Sequence, residues 1–246
     1  MTTTSRKSVL VTGASRGIGA AVATRLAADG FAVAVNYAGS ASAAQQVVDT
    51  IIAGGGAAIA VQGDVSSSAD VLRMFDETEN AFGGLDGVVN NAGIMVNETI
   101  ADGTEQTYDR TFDINVRGVF LVLREAAKRM RNGGRIVNFS SSVIGLALPT
   151  YGLYSASKAA VDALTRVLSK ELRGREITVN SIAPGPTATK LFLDGKTPEQ
   201  IEHLAQLNPL GRLATPEDIA NAVSFLMSPQ GGWINGQVIR ANGGMN

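Results

Sequence analysis

The chain has 246 residues, 45% of them hydrophobic, with 21 basic and 22 acidic side chains and a formal charge of −1. It contains no cysteine and a single histidine, His203; this removes disulfides, thiolate nucleophiles and multi-histidine metal sites and argues against a Ser-His-Asp triad. The balanced charge offers no global basic field for nucleic acid, and no apolar run reaches the roughly 18 residues of a membrane span.

Residues 1–8 are polar and lack a signal-like apolar core, so a soluble, cytoplasmic chain is expected, with residues 1–246 forming one domain. Short aliphatic runs then alternate with longer Ala-rich segments of helical spacing, the pattern of repeated βαβ units. Strands are predicted at 8–12, 32–36, 57–62, 87–90, 135–139, 178–182 and 237–240, and helices at 17–28, 41–53, 68–82, 109–130, 154–172 and 216–227. Several of the strand runs are apolar throughout, as strands covered on both faces must be. The expected fold class is therefore α/β: a doubly wound, seven-stranded parallel sheet between two helical layers. Residues 188–213 are an excursion before the last helix and are predicted to form a substrate lid.

The first strand runs into Thr12-Gly13-Ala14-Ser15-Arg16-Gly17-Ile18-Gly19 and then directly into a helix. Glycines there let the chain turn tightly and approach a pyrophosphate, which the free N–H groups and dipole of the helix attract. Gly13, Ser15, Arg16, Gly17, Ile18 and Gly19 are thus candidate cofactor residues. At the end of the second strand an NAD-preferring site offers an acid to the ribose, but Val35-Asn36-Tyr37-Ala38-Gly39-Ser40 has none. With Arg16 able to pair with a 2′-phosphate, NADP(H) is predicted over NAD(H), with Asn36, Tyr37 and Ala38 at that subsite.

Tyr154 and Lys158 are spaced i, i+4 near the start of an apolar helix and share a face. A nearby ammonium favours the phenolate, which makes such a tyrosine a usable proton donor and acceptor for an alcohol/ketone couple. Ser140-Ser141-Ser142, Asn90-Asn91-Ala92-Gly93 and Pro184-Gly185 follow other strands, at the edge where ligands bind in open α/β sheets.

Taken in order, the glycine turn, Asp64-Val65, Asn90 to Gly93, Asn115, the serine cluster, Tyr154 and Lys158, Pro184-Gly185 and Thr189 resemble the short-chain dehydrogenase/reductase family over nearly the whole chain. The resemblance implies a Rossmann-type three-layer sandwich and a Tyr154 that gives and takes the proton. Lys158 would lower its pKa and hold the nicotinamide ribose, and Asn115 would support a water in a proton relay. A serine would bond the substrate carbonyl: the family's spacing of thirteen residues to the tyrosine selects Ser141, with Ser142 the alternative. Asp64 and Val65 would contact adenine, and Asn91, with Ala92 and Gly93, would lie along the adenosine-side ribose. Pro184, Gly185, Thr187 and Thr189 would face the nicotinamide. No metal is implied.

Within the family, Val35 to Gly39 and Asn242-Gly243-Gly244-Met245 are similar to 3-oxoacyl-[acyl-carrier-protein] reductases. The apolar stretch 146–153 and Leu191-Phe192-Leu193 point instead to a hydrophobic or aryl ketone. Three readings follow: NADPH-dependent ketone reduction, reduction of a carrier-bound 3-oxoacyl group, and a catalytically silent NADPH-binding sensor. Arg129, Arg131, Arg173 and Arg175 are either helix-end cations or a dock for an acidic acyl carrier protein. His203 is expected on a solvated helix, Trp233 in a packing gap, and the resemblance implies a homotetramer.

Overall fold

The computed structural model describes residues 6–246; the first five residues of the polar start lie outside the described part. The strands are β1 (Ser8–Val11), β2 (Ala32–Tyr37), β3 (Ala57–Gln62), β4 (Gly87–Asn90), β5 (Arg135–Phe139), β6 (Thr178–Pro184) and β7 (Val238–Ala241). The helices are α1 (Gly17–Ala28), α2 (Ala41–Ala53), α3 (Ser68–Phe82), α4 (Glu105–Phe112), α5 (Gly118–Arg129), α6 (Val143–Leu146), α7 (Gly152–Glu171), α8 (Lys190–Leu193), α9 (Pro198–Ala205) and α10 (Pro216–Met227). The strands form one all-parallel sheet in the order β3-β2-β1-β4-β5-β6-β7. That order reverses between β1 and β4, which opens a crevice beyond the carboxyl ends of those two strands.

The two-residue period of a strand explains the two cores. Val9 and Val11 join the cluster covered by α1, α2 and α10, whereas Leu10 between them joins the one covered by α3, α5 and α7. Strands β2 and β6 run further than their apolar patterns predict, through Tyr37 and Pro184. Their parallel neighbours keep pairing there, as Tyr37 with Gln62 and Pro184 with Ala241.

The helix predicted over 109–130 starts earlier, at Glu105, and runs as α4 and α5 through a π-helical turn. Thr104 starts α4 by accepting a hydrogen bond from the Thr107 N–H, and a π-helical turn, Asp113–Arg117, separates α4 from α5. The extra residue in a π-turn rotates the following face against the preceding one, a device common at functional sites. Here it carries Asn115 into the interior and lets Gly118 pack on Val65, which would lie 2.7 Å from a Cβ at that glycine. Trp233 fills no packing gap: it is 99% exposed, just before β7.

The excursion 188–213 has a closed neck. Ala188 N–H donates to Ala214 O at 2.8 Å and Ala214 N–H to Pro186 O at 2.9 Å. Between these points lie α8 and α9, the latter started by a capping box between Thr197 and Gln200. Among the described residues no helix is long and apolar enough to cross a membrane.

Candidate active site

The crevice is stitched together before any ligand enters it. Thr12 Oγ1 accepts from the N–H groups of Asn91 and Ala92, both at 3.1 Å, and the Asn91 amide donates to Thr12 O and Gly13 O, both at 3.0 Å. Asn91 therefore fixes the phosphate turn to the end of β4, and its amide protons are engaged there. Asn36 braces the same turn from the other side. Its Oδ1 accepts from Gly13 N–H at 3.1 Å and its amide donates to Gly63 O at 3.0 Å, so it is buried instead of facing solvent beside the second strand. Both residues border the groove and also hold its turn in place.

No side chain caps the N-terminus of α1, which leaves its first N–H groups directed into the groove. That groove is lined by the turn from Gly13 through Ser15, Arg16, Gly17 and Ile18 to Gly19, by Asn36, Tyr37 and Ala38, by Asp64 and Val65, by Asn91 to Gly93, and by Thr189. Arg16 is exposed at its rim and makes no ion pair among the described residues. Arg110 of α4 also lines it. Asp64 accepts from Ser66 N–H at 2.9 Å and Ser66 Oγ at 2.7 Å through one oxygen, Oδ1.

Tyr154, Lys158, Ser141 and Asn115 come together at the far end of the crevice, beneath a second hollow. Asn115, on the π-turn, accepts from Ile94 N–H at 2.9 Å and donates to Ile94 O at 2.9 Å and Ser157 Oγ at 3.1 Å. It thereby fastens the loop after β4 to α7, next to Lys158. Lys158 is 4% exposed and donates to Phe139 O at 2.8 Å, with its Nζ 5.8 Å from the centre of the Tyr154 ring.

Burial governs the protonation of this pair. Desolvation pushes the Tyr154 phenol up to about 12, against the pull of the Ser141 hydroxyl bonded to it. Desolvation likewise pushes Lys158 down to about 8, with Asp162 acting in the opposite sense. The expected depression of the tyrosine by its lysine does not set the Tyr154 value; burial raises it, and the lowering influence on it is Ser141. A neutral phenol beside a lysine that is mostly ammonium at pH 7 remains suited to giving a proton away.

The serines separate by their partners. Ser142 Oγ donates to Ala183 O at 3.0 Å and is buried, whereas Ser141 keeps its hydroxyl at the pocket beside Tyr154. At the opposite wall Thr187 donates to Gly185 O at 2.9 Å, and Thr189 caps α8 by accepting from Phe192 N–H at 3.3 Å. Pro184, Gly185, Thr187 and Thr189 all border the hollow.

The rest of the hollow is apolar. Met95, Leu146, Leu148, Phe192, Leu204 and Met245 line it, with Tyr151 above Tyr154. The stretch after the serines and the lid were read from sequence as substrate-facing; Met95 and Met245 were not, because nothing in their local spacing distinguishes them from core residues. His203 is exposed on α9. The four arginines lie at the opposite edge of the sheet, where α5 and α7 end and β5 and β6 begin. Arg129 pairs with Glu79 and Asp76, both at 2.6 Å, Arg131 pairs with Asp86 at 3.0 Å, and Arg175 donates to the carbonyls of Ala127 and Met130. Arg129, Arg131 and Arg175 are bound helix-end cations, and none of the four arginines lines the hollow.

A family model described as Enoyl-(Acyl carrier protein) reductase matches residues 13–246. The chain is 45% identical over 245 residues to a short-chain type dehydrogenase/reductase of Picea abies, covering 96% of this chain and 90% of that one. The chain belongs to the short-chain dehydrogenase/reductase family. It is also 44% identical over 249 residues to an NADPH-dependent aldehyde reductase-like protein of Arabidopsis thaliana, covering 96% of this chain and 92% of the relative. Among solved structures, the angucycline C-6 ketoreductase LanV with bound NADP superposes with a TM-score of 0.92 at 39% identity, covering 97% of this chain and 95% of that one. As a member of this family the chain is grouped with oxidoreductases whose sheet and crevice it shares.

Proposed function

We propose that this protein is an NADPH-dependent reductase of bulky, apolar ketones, forming secondary alcohols reversibly. The observation that carries the reading is the Ser141–Tyr154 hydroxyl pair, with buried Lys158, at the floor of an apolar hollow that opens onto a phosphate-ready groove. NADPH, when bound, supplies the hydride that adds to the carbonyl carbon. Two hydroxyls directed at one point can hold a carbonyl oxygen, and Tyr154 delivers the proton to it as negative charge develops. Lys158 would hold the nicotinamide ribose and, as an ammonium near Tyr154, supply the proton that the phenol gives up. Asn115 keeps the loop after β4 and α7 in register around both.

The groove fits a nicotinamide dinucleotide through the uncapped start of α1, and the absence of a carboxylate from Val35 to Ser40 favours the 2′-phosphate. Arg16 at the rim supplies the matching charge. The NADP-bound ketoreductase relative agrees with this assignment. A free small-molecule ketone is favoured over a carrier-bound one because the arginines that would dock an acidic carrier lie at the far edge. The excursion 188–213, hinged at its closed neck, is proposed to cover the bound ketone. Exposed Phe120 on α5 and Val167 on α7 support a homotetramer built through those two long helices.

Alkyl aryl ketones assayed with both cofactors test the reading directly. kcat/KM with NADPH is expected to exceed that with NADH by at least about tenfold, and Arg16→Ala to remove most of the difference by weakening NADPH alone. Equal use of NADH by the wild type sinks the cofactor assignment.

The protonation states add a signed pH dependence. Tyr154 keeps its proton until about pH 12, so the group that titrates near neutrality is Lys158 at about 8. kcat/KM for reduction is expected to be level below pH 7 and to fall with a one-proton slope above 8. Unfolding does not explain such a fall: the lysine's folded pKa lies below its unfolded 10.5, so the unfolded chain holds the extra proton between 8 and 10.5 and this group's contribution to stability rises with pH there. A profile still flat at pH 9.5, with thermal melts unchanged, removes the protonated lysine from the mechanism.

A further inference from the structure

Residues 242–246 turn back over the end of β7 and reach across the catalytic loop. The return is made by Gly243 and Gly244, with φ of +67° and +85°, values that side-chain-bearing residues rarely adopt. Asn242 is buried and accepts from Gly244 N–H at 3.1 Å. Beyond the turn, both ends of the Asn246 amide are engaged: Oδ1 accepts from Asn242 Nδ2 at 2.7 Å, and Nδ2 donates to Ser142 O at 3.0 Å. That carbonyl belongs to the residue next to Ser141. Gly145, whose N–H shares the same acceptor at 3.1 Å, leaves room for the amide, since a Cβ there would collide with Asn246 Nδ2.

The other side of this segment rests on the base of the lid. A Cβ at Gly244 would stand 3.4 Å from Pro209, and one at Gly243 would stand 2.6 Å from Asn208 Oδ1, three residues beyond the end of α9. Held between these two supports, Met245 lines the hollow together with Leu146 and Leu204. The serine loop is tied to β6 by Ser142 N–H, which donates to Pro184 O at 3.0 Å, and by Ser142 Oγ. Asn246 ties it on the other side, to the segment that follows β7.

We infer that Asn246 is a positioning residue for the serine loop and that Met245, which it holds in place, sets the size of ketone the hollow accepts. The inference rests on the ketone-reductase reading and names within it a residue for substrate size. Methionine's unbranched thioether fills irregular apolar space and yields to shortening without breaking the surrounding hydrogen bonds. The Asn246 amide instead works through direction: a carboxylate in its place keeps the acceptor for Asn242 but presents an oxygen to the Ser142 carbonyl.

Full-length protein with NADPH and a series of para-alkyl acetophenones of increasing chain length separates the outcomes. Met245→Ala is expected to raise the ratio of kcat/KM for the longest to the shortest ketone about tenfold, and Met245→Leu to leave that ratio within twofold of wild type. Asn246→Ala is expected to lower kcat about tenfold for every member of the series, with the Kd for NADPH within twofold of wild type. Asn246→Asp should be impaired as much as the alanine variant. An unchanged size ratio in Met245→Ala, or full activity in Asn246→Asp, overturns the inference while leaving ketone reduction intact. A wild type inert toward every ketone overturns the functional reading and the inference with it. If Asn246→Ala does not fold, the two Met245 variants decide the question alone.

Discussion

Replacing Tyr154 with phenylalanine is expected to lower kcat for ketone reduction by a factor of roughly 10² to 10⁴, the range attributed to a positioned general acid. The Kd for NADPH is expected to change by less than about threefold. The physical basis is the narrowness of the change: phenylalanine keeps the ring beneath Lys158 Nζ and the packing of α7, and removes only a hydroxyl bonded to Ser141. The loss of one such hydrogen bond costs about 1 kcal/mol of stability, too little to unfold an ordinary domain. Because burial holds the phenol near 12, the wild-type hydroxyl is protonated throughout the working range, and the variant has no other acid in its place. Steady-state kinetics beside fluorescence titration of NADPH read both quantities. Retention of more than a few per cent of wild-type kcat would assign the proton to another donor.

The second large effect is expected at Gly19, where the cause is contact and not backbone conformation. A Cβ at this position would collide with the Gly13 carbonyl oxygen and would lie 2.5 Å from Asn91 Nδ2 and 3.0 Å from Ala14 Cα. Those are the groups that bind the phosphate turn to the end of β4, so the turn itself must move. Gly19→Ala is expected to weaken NADPH binding at least about tenfold and to destabilise the fold by about 1–3 kcal/mol, the usual cost of overpacking. Gly17→Ala provides the contrast. Its φ of +55° makes alanine strained, but the nearest neighbour, Thr189 Cγ2, stands 3.5 Å from the added carbon. A cost of about 1–2 kcal/mol with a smaller loss of binding is expected there. Thermal melts and NADPH titrations of the two variants compare them, and a Gly19→Ala protein that binds NADPH like wild type would show that the turn yields.

Much of this site is legible in the sequence because its signals are local. The i, i+4 spacing of Tyr154 and Lys158 puts both on one face of α7 in any context that keeps the helix. The glycine turn lies between a strand and a helix, each recognisable from its own period, and Thr215-Pro216 marks the start of α10 by its cap. The misreadings concern longer range. The π-turn in the helix predicted over 109–130 follows from where Asn115 and Gly118 meet the loops after β4 and β3, which no periodicity within 109–130 records. Asn36 and Asn91, read as cofactor residues, do border the groove, and what the sequence did not record is that their amides also brace the turn at Gly13. The choice between Ser141 and Ser142 turns on Ala183 O, which takes the Ser142 hydroxyl.

By itself the sequence determined the alternation of strands and helices, the class of sheet, the turn for a dinucleotide phosphate and the paired tyrosine and lysine. Each of these is written within a few consecutive residues by side-chain period, glycine placement and capping. Only the tertiary structure decided which serine faces the tyrosine, that burial holds Tyr154 protonated, that the arginines sit at the far edge, and that Met245 walls the hollow. Those facts depend on segments far apart in the chain, such as Asn246 and Ser142, 104 residues apart, which meet because the strand order places β7 beside β6 and β6 beside β5.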